Sequence, residues 1–266
     1  MKRRLGRQEA QMLAYLQMRR QRTVRTGELT GPLGLTRLQE RELFRRMARA
    51  KLIARVRPGL YLVPERLPFG GSWSPDEALA LKALMDDRQG RYQICGPNAF
   101  NRYGLDEQLP NRVYAYNDRI SGKRVIGSIA LTLIKVAEGR LGAVEKVRTA
   151  DGLTLSYSSR ARTLVDAVND WSRFNTLPRA FDWIRKELSS GRVQPAELVR
   201  TTLRYGEVGS IRRIGALLDR EDVSPSLLRT LEKALKPSQA LIPWIPTRPK
   251  RGTVDRCWGV VWNESA

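Results

Sequence analysis

Histidine is absent from all 266 residues of the chain. That removes the usual general base, the commonest metal ligand and every catalytic triad built on imidazole. Cysteine is nearly absent too: Cys95 and Cys257 lie far apart with no CxxC spacing, so neither a zinc knuckle nor a redox motif is written. Both are expected to be buried free thiols. No run of about 18 apolar residues exists to span a bilayer, and Met1-Lys2-Arg3-Arg4 leads into polar residues rather than an apolar signal core. A cytoplasmic, nucleoid-associated protein is the expectation.

The phosphate-holding GxxxxGK loop, the GxGxxG turn and the GxSxG nucleophile elbow are missing as well. No Asp or Glu is followed two residues later by Lys, a spacing that serves metal-dependent cleavage in many nucleases. The acid pairs Asp76-Glu77, Asp86-Asp87 and Glu221-Asp222 fall near expected helix ends, where dipole compensation or capping accounts for them. Asp166 and Asp170 are one turn apart, but Arg162 stands four residues before Asp166, so a salt bridge is the better expectation than a shared metal. No catalytic residue, metal or cofactor is expected.

Acids as a class are scarce: 27 Asp and Glu face 48 Lys and Arg, for a formal net charge of +21. Such an imbalance implies a polyanionic partner, with nucleic acid first. The charge is uneven, since residues 1–66 carry 17 Lys and Arg against 5 Asp and Glu. Residues 2–7 read as either a phosphate-tracking arm or a solubilising tail.

What is present is densest between Leu35 and Val63. Thr36 can cap a helix while Gln39 reaches back to its amide. On that helix Leu43, Phe44, Met47 and Ala50 share one arc, and Arg41, Arg45 and Arg49 line another. A solvated charged face is the bland reading, an anion-binding face the sharper one. Leu52–Arg57 and Leu60–Val63 read as strands around a Pro58-Gly59 turn of type II, with Arg55 and Arg57 on one strand face. A first helix is expected over 8–20 and a short second helix over 23–29, which gives the order helix, helix, recognition helix, wing. The candidate DNA-binding set is Arg25, Thr36, Arg37, Gln39, Arg41, Arg45, Arg49, Arg55 and Arg57.

Residues 64–75 concentrate Pro, Gly and Ser, so the expected organisation is a winged-helix domain at 1–66, a linker at 67–75 and a C-terminal domain at 76–266. That domain opens on a helix with Ser74 as cap. Strands follow at Val113–Tyr116, Ile129–Val136 and Thr154–Tyr157, with a helix near Pro97–Tyr103. Helices then run over 160–170, 178–188, 195–205, 210–218 and 224–235. The Pro-rich tail reads as irregular, with a terminal strand at Trp258–Trp262. The fold class is α+β, a winged helix-turn-helix followed by a mixed α/β domain. Arg212 and Arg213 open an apolar helix, either solvated and paired with Glu207 and Asp219 or making a second anionic contact.

"PGLYLV" at the end of the hairpin, Gly96-Pro97-Asn98-Ala99-Phe100 leading to Tyr103-Gly104-Leu105, Arg160 to Asp166, and Arg212 to Leu218 occur in an order that resembles the AbiEi antitoxins of bacterial abortive-infection systems. The resemblance covers nearly the whole chain and departs where Ala161 replaces the family's usual Glu. It implies an N-terminal winged helix that represses its own operon at inverted repeats in double-stranded DNA. It further implies a C-terminal domain that counteracts a co-encoded nucleotidyltransferase toxin. The alternative is a nucleic-acid-processing enzyme targeted by its winged helix.

Overall fold

The structure, a computed structural model, describes residues 5–67, 71–237 and 239–264. It is mixed α and β, with ten α-helices and twelve strands among the described residues. In chain order the first are α1 (Arg7–Met18), β1 (Thr23–Arg25), α2 (Arg37–Arg49), β2 (Ala54–Arg57), β3 (Leu60–Leu62), α3 (Glu77–Asp87), β4 (Tyr92–Ile94) and α4 (Pro97–Arg102). Five strands and two helices follow: β5 (Val113–Asn117), β6 (Gly122–Ile126), β7 (Ile129–Lys135), β8 (Val144–Arg148), β9 (Thr154–Ser158), α5 (Arg160–Asn169) and α6 (Trp171–Phe174). The chain ends in α7 (Arg179–Ser189), α8 (Pro195–Tyr205), α9 (Val208–Arg220), α10 (Pro225–Glu232), β10 (Ile242–Pro243), β11 (Thr253–Asp255) and β12 (Val260–Trp262).

Two compact units share the chain. The first takes Met1–Tyr92, Asn111–Glu138 and Val147–Leu155, and the second takes Gln93–Pro110, Gly139–Lys146 and Ser156–Ala266. In the first unit, α2 begins where its cap dictates: Thr36 Oγ accepts from the Gln39 amide at 3.2 Å and Gln39 Oε1 accepts from the Thr36 amide at 2.9 Å. Its inner face buries Leu43, Phe44 and Met47 against Met12, Leu13 and Leu16 of α1. Gly59 takes φ +81°, as the third position of a type II turn requires, and β2 and β3 pair antiparallel around it.

Residues 23–29 depart from the expected second helix. Thr23–Arg25 form β1, which pairs antiparallel with β3 (Val24 opposite Tyr61), and turns follow to Leu35. Two β-branched residues and a partner strand nearly forty residues away outweigh local helical pattern. Buried Glu40 then fixes the turn, accepting from the amides of Gly27 at 2.6 Å and Leu29 at 2.9 Å. The resulting order is helix, strand, turn, helix, hairpin, with a three-stranded β1-β3-β2 sheet.

The expected linker behaves differently in its described part. The Trp73 amide donates to the Lys51 carbonyl at 2.7 Å, and Ser74 Oγ meets Ser128 Oγ at 2.7 Å. Asp76, not Ser74, caps α3, accepting from the Leu79 amide at 2.7 Å. The first unit therefore continues through residues 71–92 instead of closing at 66, and strands β5, β6 and β7 belong to it, with β7 parallel to β5 and antiparallel to β6. Pro68, Phe69 and Gly70 of the expected linker, and residues 2–4 of the expected arm, lie outside the described residues.

The second unit is mainly helical. The α5 positions from Ala161 to Val168 are all buried, as suits a helix surrounded by others. Its neighbours supply Phe181, Ile184, Leu198, Ile214, Leu217, Trp244 and Trp258 to one core. The C-terminal residues form a small sheet in the order β10-β12-β11. Among the described residues no helix is long and apolar enough to cross a membrane.

Candidate nucleic-acid interface

One outer face of α2 is densely basic. Arg37, Arg41, Arg45 and Arg49 are all exposed, while the opposite side is anchored in the core. Arg45 holds Glu42 at 2.9 Å, one turn earlier on the same helix. Arg46, around the helix, lies 3.8 Å from Glu9 of α1. Arg37, Arg41, Arg49 and Arg55 have no hydrogen bond or ion pair within the described residues, so their guanidinium forks are open to an anion. Beyond the end of α2, a cleft of about 390 Å³ carries Arg49, Lys51 and Arg55 beside Ile53, Trp73 and Val125.

Thr36 and Gln39 are exposed at the start of α2, but each uses its acceptor oxygen on the other's amide. What remains for a ligand is the Gln39 amide nitrogen and the Thr36 hydroxyl proton.

Arg25 and Arg57 sit elsewhere in the electrostatics. Asp87, at the end of α3 and with a side chain only 5% exposed, accepts a bidentate fork from Arg57, Nε at 2.6 Å and Nη2 at 2.7 Å. The third Arg57 nitrogen, Nη1, donates to the Pro58 carbonyl, and Arg25 Nη2 adds a second cation to Asp87 at 2.9 Å. The Arg57 hydrogen bonds hold the Asp87 carboxyl below its ordinary range, and the same bonds raise Arg57 further. A phosphate would have to displace Asp87 to reach Arg57, which corrects the expectation of an open wing-tip cation. The sequence gives no sign of this, because the carboxylate lies thirty residues downstream.

Arg212 and Arg213 are corrected too. They are 8% and 7% exposed, and their donors end on backbone carbonyls. Arg212 reaches Trp258 at 2.6 Å, Gly259 at 2.8 Å and Ala240 at 2.6 Å, while Arg213 reaches Pro243 at 2.9 Å and Trp244 at 3.2 Å. Burial pulls Arg213 down to about 10. These side chains fasten the C-terminal segment to α9 and are not placed to meet an external anion. The partners suggested for them are engaged elsewhere: Glu207 with Arg140 at 3.1 Å, and Asp219 with the Trp258 indole at 3.0 Å.

The other motifs of the second unit are also structural in placement. Gly96 takes φ +57° where a Cβ would stand 2.5 Å from the Phe174 ring, and Phe174 packs edge-on against Phe100. Arg162 and Asp166 form the expected salt bridge, 2.8 Å long and 1% exposed on both sides, with Arg162 over the Tyr205 ring. Of the two cysteines Cys95 is buried, but Cys257 is exposed, and its thiol donates to Glu232 and is raised to about 11, first by desolvation. Among the described residues, no group of three or more Cys, Asp or Glu side chains is placed to hold a metal ion.

Two residues of α2 that sequence reasoning passed over bear on this surface, Glu40 from beneath it and Leu38 on it. Glu40 lies on the apolar arc of α2, three residues before Leu43, and an acid on a core-facing stripe signals a buried acceptor role. Leu38 lies off that arc and is 70% exposed.

No protein-family model and no curated protein matches the chain. Among solved structures, the crystal structure of the RV2827C protein from Mycobacterium tuberculosis is similar. Its TM-score is 0.61 at 15% identity, over 97% of this chain and 92% of that one. At that identity the likeness shows a shared fold.

Proposed function

We propose that the first unit is a winged-helix reader of double-stranded DNA, with α2 as the recognition helix and the β2–β3 hairpin as the wing. One observation carries this reading: a capped helix, locked into a core by Leu43, Phe44 and Met47, presents Arg37, Arg41 and Arg49 outward without internal partners. A helix of this kind fits the major groove, where an arginine fork matches guanine and its neighbours meet phosphates. The hairpin adds Arg55 beside it.

The resemblance of the ordered motifs to the AbiEi antitoxins extends the proposal to a non-catalytic autorepressor, bound to inverted repeats, that counteracts a co-encoded nucleotidyltransferase toxin. The neutralising role falls on the second unit, whose motifs at Gly96–Phe100, Arg160–Asp166 and Arg212–Leu218 set its core and its C-terminal fastening. Two measurements with the full chain test the proposal. A reporter driven by the protein's own upstream region should be repressed, and growth arrested by the neighbouring nucleotidyltransferase should be restored on co-expression. An unrepressed reporter removes the first role, and unrelieved arrest removes the second.

A further inference from the structure

We propose that Leu38 is a base-reading residue that recognises thymine through its 5-methyl group. The inference rests on the DNA reading of α2 and deepens it. Leu38 stands in the first turn of the helix and is 70% exposed, although α2 has a well-filled apolar face on its other side. Leu38, Arg41 and Arg45 are spaced i, i+3 and i+7, so the leucine shares the outward stripe of the arginines. The N-terminal turns of a recognition helix are the part that reaches base edges.

The chemistry of the stripe selects the ligand. In the major groove thymine differs from every other base by a methyl group, which apolar side chains contact, while arginine pairs with guanine N7 and O6. Leu38 followed by Arg41 therefore suits a thymine close to a guanine. Thr36 and Gln39 have their acceptor oxygens tied into the cap, which leaves Arg37 and Leu38 as the groups in that turn with side chains wholly available for contact, Leu38 being the apolar one. A protein partner fits less well. Arg37, Gln39 and Arg41 surround Leu38 and all are exposed, so the apolar spot is a single side chain, whereas stable protein interfaces bury about 800 Å² on each side.

The test uses the full chain and a random-sequence duplex pool, selected by binding and sequenced for wild type, Leu38→Ala and Arg41→Ala. Wild type should enrich a site with a fixed thymine, and replacing that thymine by deoxyuridine should weaken binding about three- to five-fold, the worth of one buried methyl. Leu38→Ala should bind the two duplexes equally and enrich no thymine there, while keeping the wild-type melting temperature because the side chain is exposed. Retention of the same thymine preference and the same deoxyuridine loss by Leu38→Ala would overturn the assignment and leave the DNA reading standing. A change in self-association on sedimentation with base preference unchanged would also overturn it, and would make Leu38 a contact between copies. If wild type enriches no sequence at all, the DNA reading falls and the assignment falls with it.

Discussion

The second and ninth helices are both rich in arginine, but α2 turns Arg37, Arg41, Arg45 and Arg49 to solvent while α9 keeps Arg212 and Arg213 buried on the carbonyls of the C-terminal segment. The same side chain is a docking group in one unit and a fastener in the other. What decides between them is the supply of acceptors. Around α2 the acids are few, and Glu40 and Asp87 are already engaged with amides and with Arg25 and Arg57. Around α9 the C-terminal segment brings several backbone carbonyls within reach, those of Ala240, Trp258 and Gly259 for Arg212, and a planar fork of donors can satisfy two or three of them at once. Net charge therefore overstates the surface available to a polyanion.

The contrast can be broken most forcefully at α9. Arg213→Ala leaves buried carbonyls without donors and should cost about 3 kcal/mol, read as a fall of several degrees in the unfolding midpoint. Arg213→Lys should recover little of it, because a point charge cannot bridge the Pro243 and Trp244 carbonyls. Below its melting temperature the variant should bind DNA as wild type does. On α2 the pattern reverses. Arg41→Ala should leave the unfolding midpoint within about one degree and cost about 1–3 kcal/mol of binding to the preferred site, relaxing selectivity at one base pair.

Smaller effects sharpen the contrast. Arg49→Ala should weaken binding to all sequences alike and lower the slope of log affinity against log salt by about one unit. Asp87→Asn removes the charge that holds Arg25 and Arg57, so the salt slope should steepen by up to about two units as those cations become available to phosphates. Its pH behaviour follows from sign. The folded pKa of Asp87 is depressed, so its contribution to stability is complete above the usual aspartate value of about 4 and is lost as pH falls through the lowered folded value. Acid titration of the unfolding midpoint should show a loss below about pH 4 in wild type that is smaller in Asp87→Asn.

How far the sequence disclosed these arrangements depends on the distance between partners. The Thr36–Gln39 cap, the Pro58-Gly59 turn and the Arg162–Asp166 pair join residues at most four apart, and each is formed. Most second-unit helices were legible for the same reason, from Pro, Ser and apolar spacing close at hand. Strand β1 reads locally as helix because its partner is β3, β4 is only three residues long, and β6 and β8 are mostly exposed and so carry no buried apolar alternation to mark them. The candidate interface divides the same way. Arg41, Arg45 and Arg49 could be placed outward from the helical wheel, whereas Arg57, Arg212 and Arg213 meet partners 30 or so residues away or more, which no local pattern encodes.

The central claim, that the face of α2 reads DNA, is tested most directly by titrating a labelled duplex from the protein's own upstream region against a shuffled duplex of equal length, with wild type and Arg41→Ala at several salt concentrations. The account predicts tighter, salt-sensitive binding of wild type to the upstream duplex, and loss of most of that preference in Arg41→Ala. Equal affinity for both duplexes, unchanged by the substitution, would contradict it.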